Sequence, residues 1–154
     1  NTMTGGRLKR LKKVLKSNTF MMTYGDGLSD VNLNALLRLH KKMNKIATVT
    51  AVRPPARFGY LDINKNLVSK FSEKKQTDEG WINGGFFIFE KEIFNHIKND
   101  STFLEKEPLS NLAKKSQLSV YKHKGFWSCI DTKRDLDTIK KIFSQKKFES
   151  PWLI

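Results

Sequence analysis

The hydrophobic positions fall into short segments with clear periods. Leu8, Leu11, Val14 and Leu15 recur at helical spacing among basic residues and predict a helix over Arg7–Lys16. Phe20-Met-Met-Thr-Tyr24 is an apolar run that stops at Gly25-Asp26-Gly27, the pattern of a buried strand ending in a tight turn. Asn32 is placed to cap a helix over Leu33–Met43, whose Leu36, Leu37, Leu39 and Met43 supply an apolar face. Ile46–Val52 is rich in β-formers and predicts the next strand. Strand, helix, strand is the βαβ signature of a parallel sheet.

Beyond Val52 the texture changes. Arg53-Pro-Pro-Ala-Arg-Phe-Gly59 reads as a loop, and Tyr60–Ile63 and Leu67–Phe71 as short strands around a hairpin turn at Asn64-Lys65-Asn66. Lys74–Gly80 is polar loop. Gly85–Phe89 is an aromatic strand, followed by a helix from Lys91 to Lys98. Pro108 sits well in the first turn of a helix running to Lys115. Strands follow at Leu118–Lys122 and Gly125–Ile130, and Leu136, Ile139, Ile142 and Phe143 mark one face of a helix over Asp135–Phe143. There is no internal repeat and no low-complexity segment.

The 154 residues suit a single α/β domain, and 38% hydrophobic residues with 11 Phe are enough for a core. No window approaches the ~18 apolar residues of a membrane span. Residue 1 is Asn, no signal-peptide core follows, and a motif-like stretch opens the chain, so it reads as part of a longer protein. One cysteine, Cys129, excludes an internal disulfide framework and fits a reducing cytoplasm. His40, His96 and His123 show no ligand spacing. The net charge of +14 would attract polyanions, but the lysine pairs are spread along the whole chain, as on solvated helix faces. A basic nucleic-acid-binding module is the rival reading; it would need exposed aromatics among basic residues, and Phe86, Phe87 and Phe89 come closest.

Several short segments carry chemistry. Asp26 follows a strand at the edge where ligands of α/β sheets gather, and its flanking glycines admit a phosphate or metal. Asp131 could cap the helix that follows it, as could Thr132. It could instead share one Mg²⁺ with Asp26, since nucleotide-bound Mg²⁺ usually takes one or two carboxylates. Glu73 can accept from sugar hydroxyls and Lys74 can meet a phosphate. Asn83 offers a donor and an acceptor to a polyol.

In order along the chain stand Thr2-Met-Thr-Gly-Gly-Arg-Leu-Lys-Arg10, Thr23-Tyr-Gly-Asp-Gly27, Pro54-Pro-Ala-Arg-Phe-Gly59, Ile82-Asn-Gly-Gly-Phe-Phe87, Glu107-Pro-Leu109, and Gly125-Phe-Trp127 with Asp131-Thr132. This ordered set closely resembles the glucose-1-phosphate cytidylyltransferases, a branch of the sugar-phosphate nucleotidyltransferases. The resemblance implies a Rossmann-like nucleotidyltransferase fold with a mixed central sheet, incomplete at its N-terminal side. Residues 1–52 would end the nucleotide-binding half, and 53–154 would form the sugar- and metal-binding part.

It also implies transfer of a cytidylyl group from CTP to glucose 1-phosphate, with Asp26 and Asp131 holding Mg²⁺ and Arg7 acting with them. Thr2, Gly6, Arg7 and Gly25 would lie near the nucleotide. Gly59, Glu73, Lys74, Asn83 and Gly84 would surround the sugar phosphate. No nucleic-acid or membrane partner is implied, and self-association is left open. Two departures stand out. Lys75 replaces the family's proline after Glu-Lys, which loosens that loop. The family's Gly-Gly-x-Gly-Thr-Arg loop is not among the nine glycines here, so the segment by itself is expected to be inactive.

Overall fold

The computed structural model describes residues 2–54, 59–73 and 80–144. Its element order is α1 (Thr4–Arg10), β1 (Thr19–Thr23), β2 (Gly27–Ser29), α2 (Leu33–Met43), β3 (Ala47–Val52), β4 (Gly59–Asn64), β5 (Leu67–Glu73), β6 (Ile82–Glu90), α3 (Glu107–Lys114), β7 (Leu118–Lys122), β8 (Trp127–Cys129) and α4 (Lys133–Ser144). Strands β1-β6-β3-β7 form the central sheet, while β2-β8 and β4-β5 form two-stranded ribbons. The sheet is mixed, as expected: β3 and β7 are parallel, and β6 runs antiparallel to both β1 and β3.

The βαβ pattern therefore does not make neighbours of β1 and β3. Strand β6 lies between them, because its Phe87, Ile88 and Phe89 are buried on both faces and only a central position covers both. On one face, Phe87 and Phe89 stack at 5.3 Å and meet Phe20, Phe94, Leu8, Leu104 and Leu112 in the main core. On the other face lies α2. Its buried His40 binds Thr48 through Nδ1 at 2.7 Å and Glu90 through Nε2 at 3.0 Å. Thr48 meets Ser119 at 2.6 Å, and Thr19 donates to Glu90 at 2.7 Å, so one polar network ties four strands to the helix.

Local signals account for most boundaries. Asn32 caps α2 by accepting from the Ala35 N–H at 2.8 Å, and Asn44 ends it in the left-handed region at φ 48°. The helix expected over Arg7–Lys16 starts earlier, at Thr4, and tightens into a 3-10 turn at Leu11–Lys13. Its start is set by docking: the Met3 N–H donates to Asp100 O at 2.8 Å and the Gly5 N–H to Thr102 O at 3.0 Å. The helix expected at Lys91–Lys98 is a 3-10 segment over Lys91–His96. Lys9 Nζ donates to the carbonyls of Ile97 and Lys98, which draws the chain out of the helix there. The last expected strand shortens to Trp127–Cys129 and pairs with β2, which the sequence pattern did not announce.

Candidate active site

Strand β1 delivers Tyr24, Gly25 and Asp26 to the end of the central sheet. The Tyr24 N–H donates to Gly85 O at 3.0 Å, and the chain then turns into β2. Gly27 pairs with Cys129 across the β2-β8 ribbon, and the Ile130 N–H donates to Asp26 O at 2.9 Å. Asp26 and Asp131 thus stand at neighbouring ends of one ribbon, though about a hundred residues separate them. Both are exposed.

Asp131 does not cap α4. Thr132 Oγ1 accepts from the Asp135 N–H at 3.2 Å, and Asp135 accepts from the Thr132 N–H at 2.9 Å, the reciprocal pattern of a capping box. Asp131 keeps its carboxylate for other partners and accepts from Cys129 Sγ at 3.2 Å. Among the described residues no group of three or more His, Cys, Asp and Glu side chains gathers to hold a metal. Two carboxylate residues with remaining positions filled by phosphate and water suit Mg²⁺, a hard cation that keeps much of its water.

The ribbon is pinned to the sheet. Trp127 Nε1 donates to Gly84 O at 2.8 Å. A Cβ at Gly84 would lie 2.8 Å from Val52 Cγ1, so a side chain is excluded where β6 crosses β3. Buried His123 faces two acceptors through Nε2, Asp30 Oδ1 at 2.7 Å and Phe126 O at 3.1 Å, so that nitrogen carries a proton. A Cβ at Gly125 would meet Asp30 Oδ1 at 2.5 Å, which leaves glycine the residue that fits beside this pair.

A cavity of about 440 Å³ opens beside α1 and β1, and Arg7, Tyr24, Gly25, Asp26 and Glu105 are among its lining residues. Arg7 is exposed, and its Nε donates to Thr2 O at 3.1 Å, which brings these two sequence candidates together. Gly25 has no neighbour within 4 Å of a built Cβ, so there is open space over its backbone. Gly6 is packed closely: a Cβ there would lie 2.3 Å from Asp100 O.

Gly59 pairs with Glu73 in the β4-β5 ribbon. Lys74 lies outside the described residues. Asn83 is exposed, its Oδ1 accepts from the Gly85 N–H at 2.9 Å, and its NH₂ group is turned toward Tyr24 OH at 3.5 Å. Gly85, at φ 79°, turns its N–H back onto the amide.

Sequence reasoning missed Tyr24 and Glu105. Tyr24 OH donates to Glu105 Oε1 in a short hydrogen bond, and Thr4 Oγ1 donates to Glu105 Oε2 at 2.7 Å. Burial, and then the Glu105 contact, pushes the Tyr24 phenol above its ordinary range, so it stays protonated. Tyr24 lay inside the recognised Tyr-Gly-Asp-Gly segment, but nothing in the sequence singles out Glu105. Also unforeseen, Arg53 and Lys122 lie over the Trp81 ring, with the guanidinium carbon 4.9 Å and Nζ 5.7 Å from its centre. Phe87 and Phe89, the aromatics that a nucleic-acid platform would need, are buried in the core.

Residues 6–146 match the nucleotidyl transferase family. The chain belongs to that family. It is 42% identical over 153 residues to the glucose-1-phosphate cytidylyltransferase of Salmonella typhimurium, covering 99% of this chain and 59% of that protein. It is 41% identical over 146 residues to a probable glucose-1-phosphate cytidylyltransferase of Bacillus subtilis, covering 94% of this chain and 57% of that one. This nucleotidyl transferase chain therefore spans well under two thirds of the length of these curated relatives. Among solved structures, HddC from Yersinia pseudotuberculosis superposes with a TM-score of 0.66 at 23% identity, over 92% of this chain and 63% of its own. A putative glucose-1-phosphate thymidylyltransferase from Bacillus anthracis gives 0.66 at 13% identity, over 98% and 65%. These two likenesses carry the nucleotidyltransferase fold. No helix among the described residues is long and apolar enough to cross a membrane.

Proposed function

We propose that this chain supplies the sugar-phosphate- and metal-binding part of a glucose-1-phosphate cytidylyltransferase. The reaction transfers a cytidylyl group from CTP to glucose 1-phosphate, giving CDP-glucose and pyrophosphate. The observation that carries this reading is the juxtaposition of Asp26 and Asp131 at one end of the β2-β8 ribbon, beside the cavity that Arg7 and Gly25 line. The names of the two cytidylyltransferase relatives described above support the choice of base and sugar.

In this reading Asp26 and Asp131 would hold Mg²⁺, and the cap of α4 does not use the Asp131 carboxylate. When bound, the ion neutralises charge on the triphosphate and orients it. Arg7, held by Thr2 O, meets the nucleotide phosphates, and Gly25 lets them approach the backbone. Gly6 and Gly84 contribute through close packing. On the sugar side, Asn83 donates from its NH₂ group, Glu73 accepts from sugar hydroxyls, Lys74 meets the sugar phosphate, and Gly59 lies in the same ribbon as Glu73. The chemistry asks for positioning and charge neutralisation more than for a protein nucleophile.

Calorimetric titration of the protein tests this. Glucose 1-phosphate should bind saturably, and CTP should bind more tightly with Mg²⁺ than without it. Asp26→Asn and Asp131→Asn should each remove the Mg²⁺ enhancement, with the double variant little worse than the worse single, because the two act as a unit. Absence of saturable binding for both ligands would overturn the reading.

A further inference from the structure

Asn83 is a candidate sugar contact that the fold holds in place. Its Oδ1 is committed to the Gly85 N–H at 2.9 Å. Because that partner is a donor, the oxygen and nitrogen of the amide are assigned without ambiguity. Its Nδ2 stands 3.5 Å from Tyr24 OH, a long contact of the kind that tightens when a ligand binds. Tyr24 in turn donates to Glu105 Oε1, so its hydroxyl proton points away from Asn83 and a lone pair faces the amide. Glu105 is itself set by Thr4 Oγ1, at 2.7 Å, and Thr4 Oγ1 accepts from the Leu104 N–H at 2.9 Å. The resulting relay runs from α1 through Glu105 and Tyr24 to β6. Every proton in it has one direction: Thr4 and Tyr24 donate to the carboxylate, and Asn83 donates to Tyr24.

We infer that Tyr24 and Glu105 are positioning residues that hold the Asn83 amide so that one N–H faces the sugar phosphate as a donor. The ligand group that this N–H recognises is an acceptor, a hydroxyl or phosphate oxygen. The inference rests on the sugar-phosphate reading of Asn83. It goes further by giving the pair a task and by linking α1, on the proposed nucleotide side, to the proposed sugar contact. Tyr24 is suited to this because its ring packs under Gly85, where a Cβ would come within 2.9 Å of Tyr24 Cδ2. The phenol is thereby fixed in place, and removing its hydroxyl alone leaves the packing intact.

The test is Tyr24→Phe alone and in an Asn83→Ala background, with glucose 1-phosphate affinity measured by calorimetry. In parallel, the Asn83 side-chain NH₂ resonances are followed by NMR, assigned by their loss in Asn83→Ala. Tyr24→Phe should shift the Asn83 NH₂ pair and weaken glucose 1-phosphate by about 2- to 10-fold, the scale of one neutral hydrogen bond. In the Asn83→Ala background the same substitution should have no further effect. Glu105→Gln, which keeps the volume but replaces the charged acceptor of the tyrosine proton with a weaker neutral one, should shift the same resonances. An Asn83 NH₂ pair unmoved by Tyr24→Phe overturns the inference without reference to any ligand. An equal loss of affinity in the Asn83→Ala background also overturns it, since Tyr24 would then act by another route. A wild-type protein that does not bind glucose 1-phosphate sinks the sugar-phosphate reading and this assignment with it.

Discussion

At the scale of single residues, the division of labour between Asp131 and Thr132 decides whether Asp131 is available for chemistry. Both were sequence candidates for the cap of α4, and the backbone assigned it to Thr132 with Asp135 as its reciprocal partner. Removing an N-cap hydroxyl costs about 1 kcal/mol. Thr132→Ala should therefore lower stability in urea denaturation by roughly that amount. Asp131→Asn should leave the denaturation midpoint where it is while abolishing the Mg²⁺ effect on CTP binding. If Asp131→Asn destabilised the protein as much as Thr132→Ala, Asp131 would be a structural residue.

At the scale of elements, α1 depends on close approach. A Cβ at Gly6 would fall 2.3 Å from a backbone carbonyl of the Asp100 turn, and backbone cannot step aside as a flexible side chain can. Arg10 and Asp100 pair across the same contact, and this holds the Asp100 carboxyl below its ordinary range. Gly6→Ala should push α1 off the turn and cost about 1–3 kcal/mol, the usual range for overpacking. Gly25→Ala, with nothing within 4 Å, should cost little stability. The same urea experiment on both variants separates a packing glycine from one whose value is open space. Equal stability losses would contradict the assignment.

At the scale of the molecule, β1 is an edge of the central sheet among the described residues. Met21 is 46% exposed on it, and Leu11 and Val14 in the preceding turn are 48% and 68% exposed. An open edge beside apolar surface invites self-association, while a charge of +14 opposes it by repulsion. Salt screens the repulsion and leaves the edge unchanged. Sedimentation should therefore show association increasing with salt, and Met21→Lys should shift the distribution toward monomer without lowering the melting temperature. Salt-independent monomers would show that this edge is already protected.

Much was legible from the chain alone. The period of its apolar residues marked nearly every strand and helix, Asn32 announced the start of α2, and Gly25-Asp26-Gly27 marked a turn at a sheet end. Those signals are local: each depends on which face of an element is apolar or which side chain can reach its own backbone. What each element packs against is not local. Only the tertiary structure placed β6 between β1 and β3, because the chain pattern shows that a strand is buried but not by which neighbours. It alone paired β2 with β8, and so brought Asp26 to Asp131. It joined Tyr24 to Glu105 across 81 residues, a contact with no periodic or motif trace. It also set the Asn83 carbonyl against the Gly85 N–H, which fixes which way the amide faces.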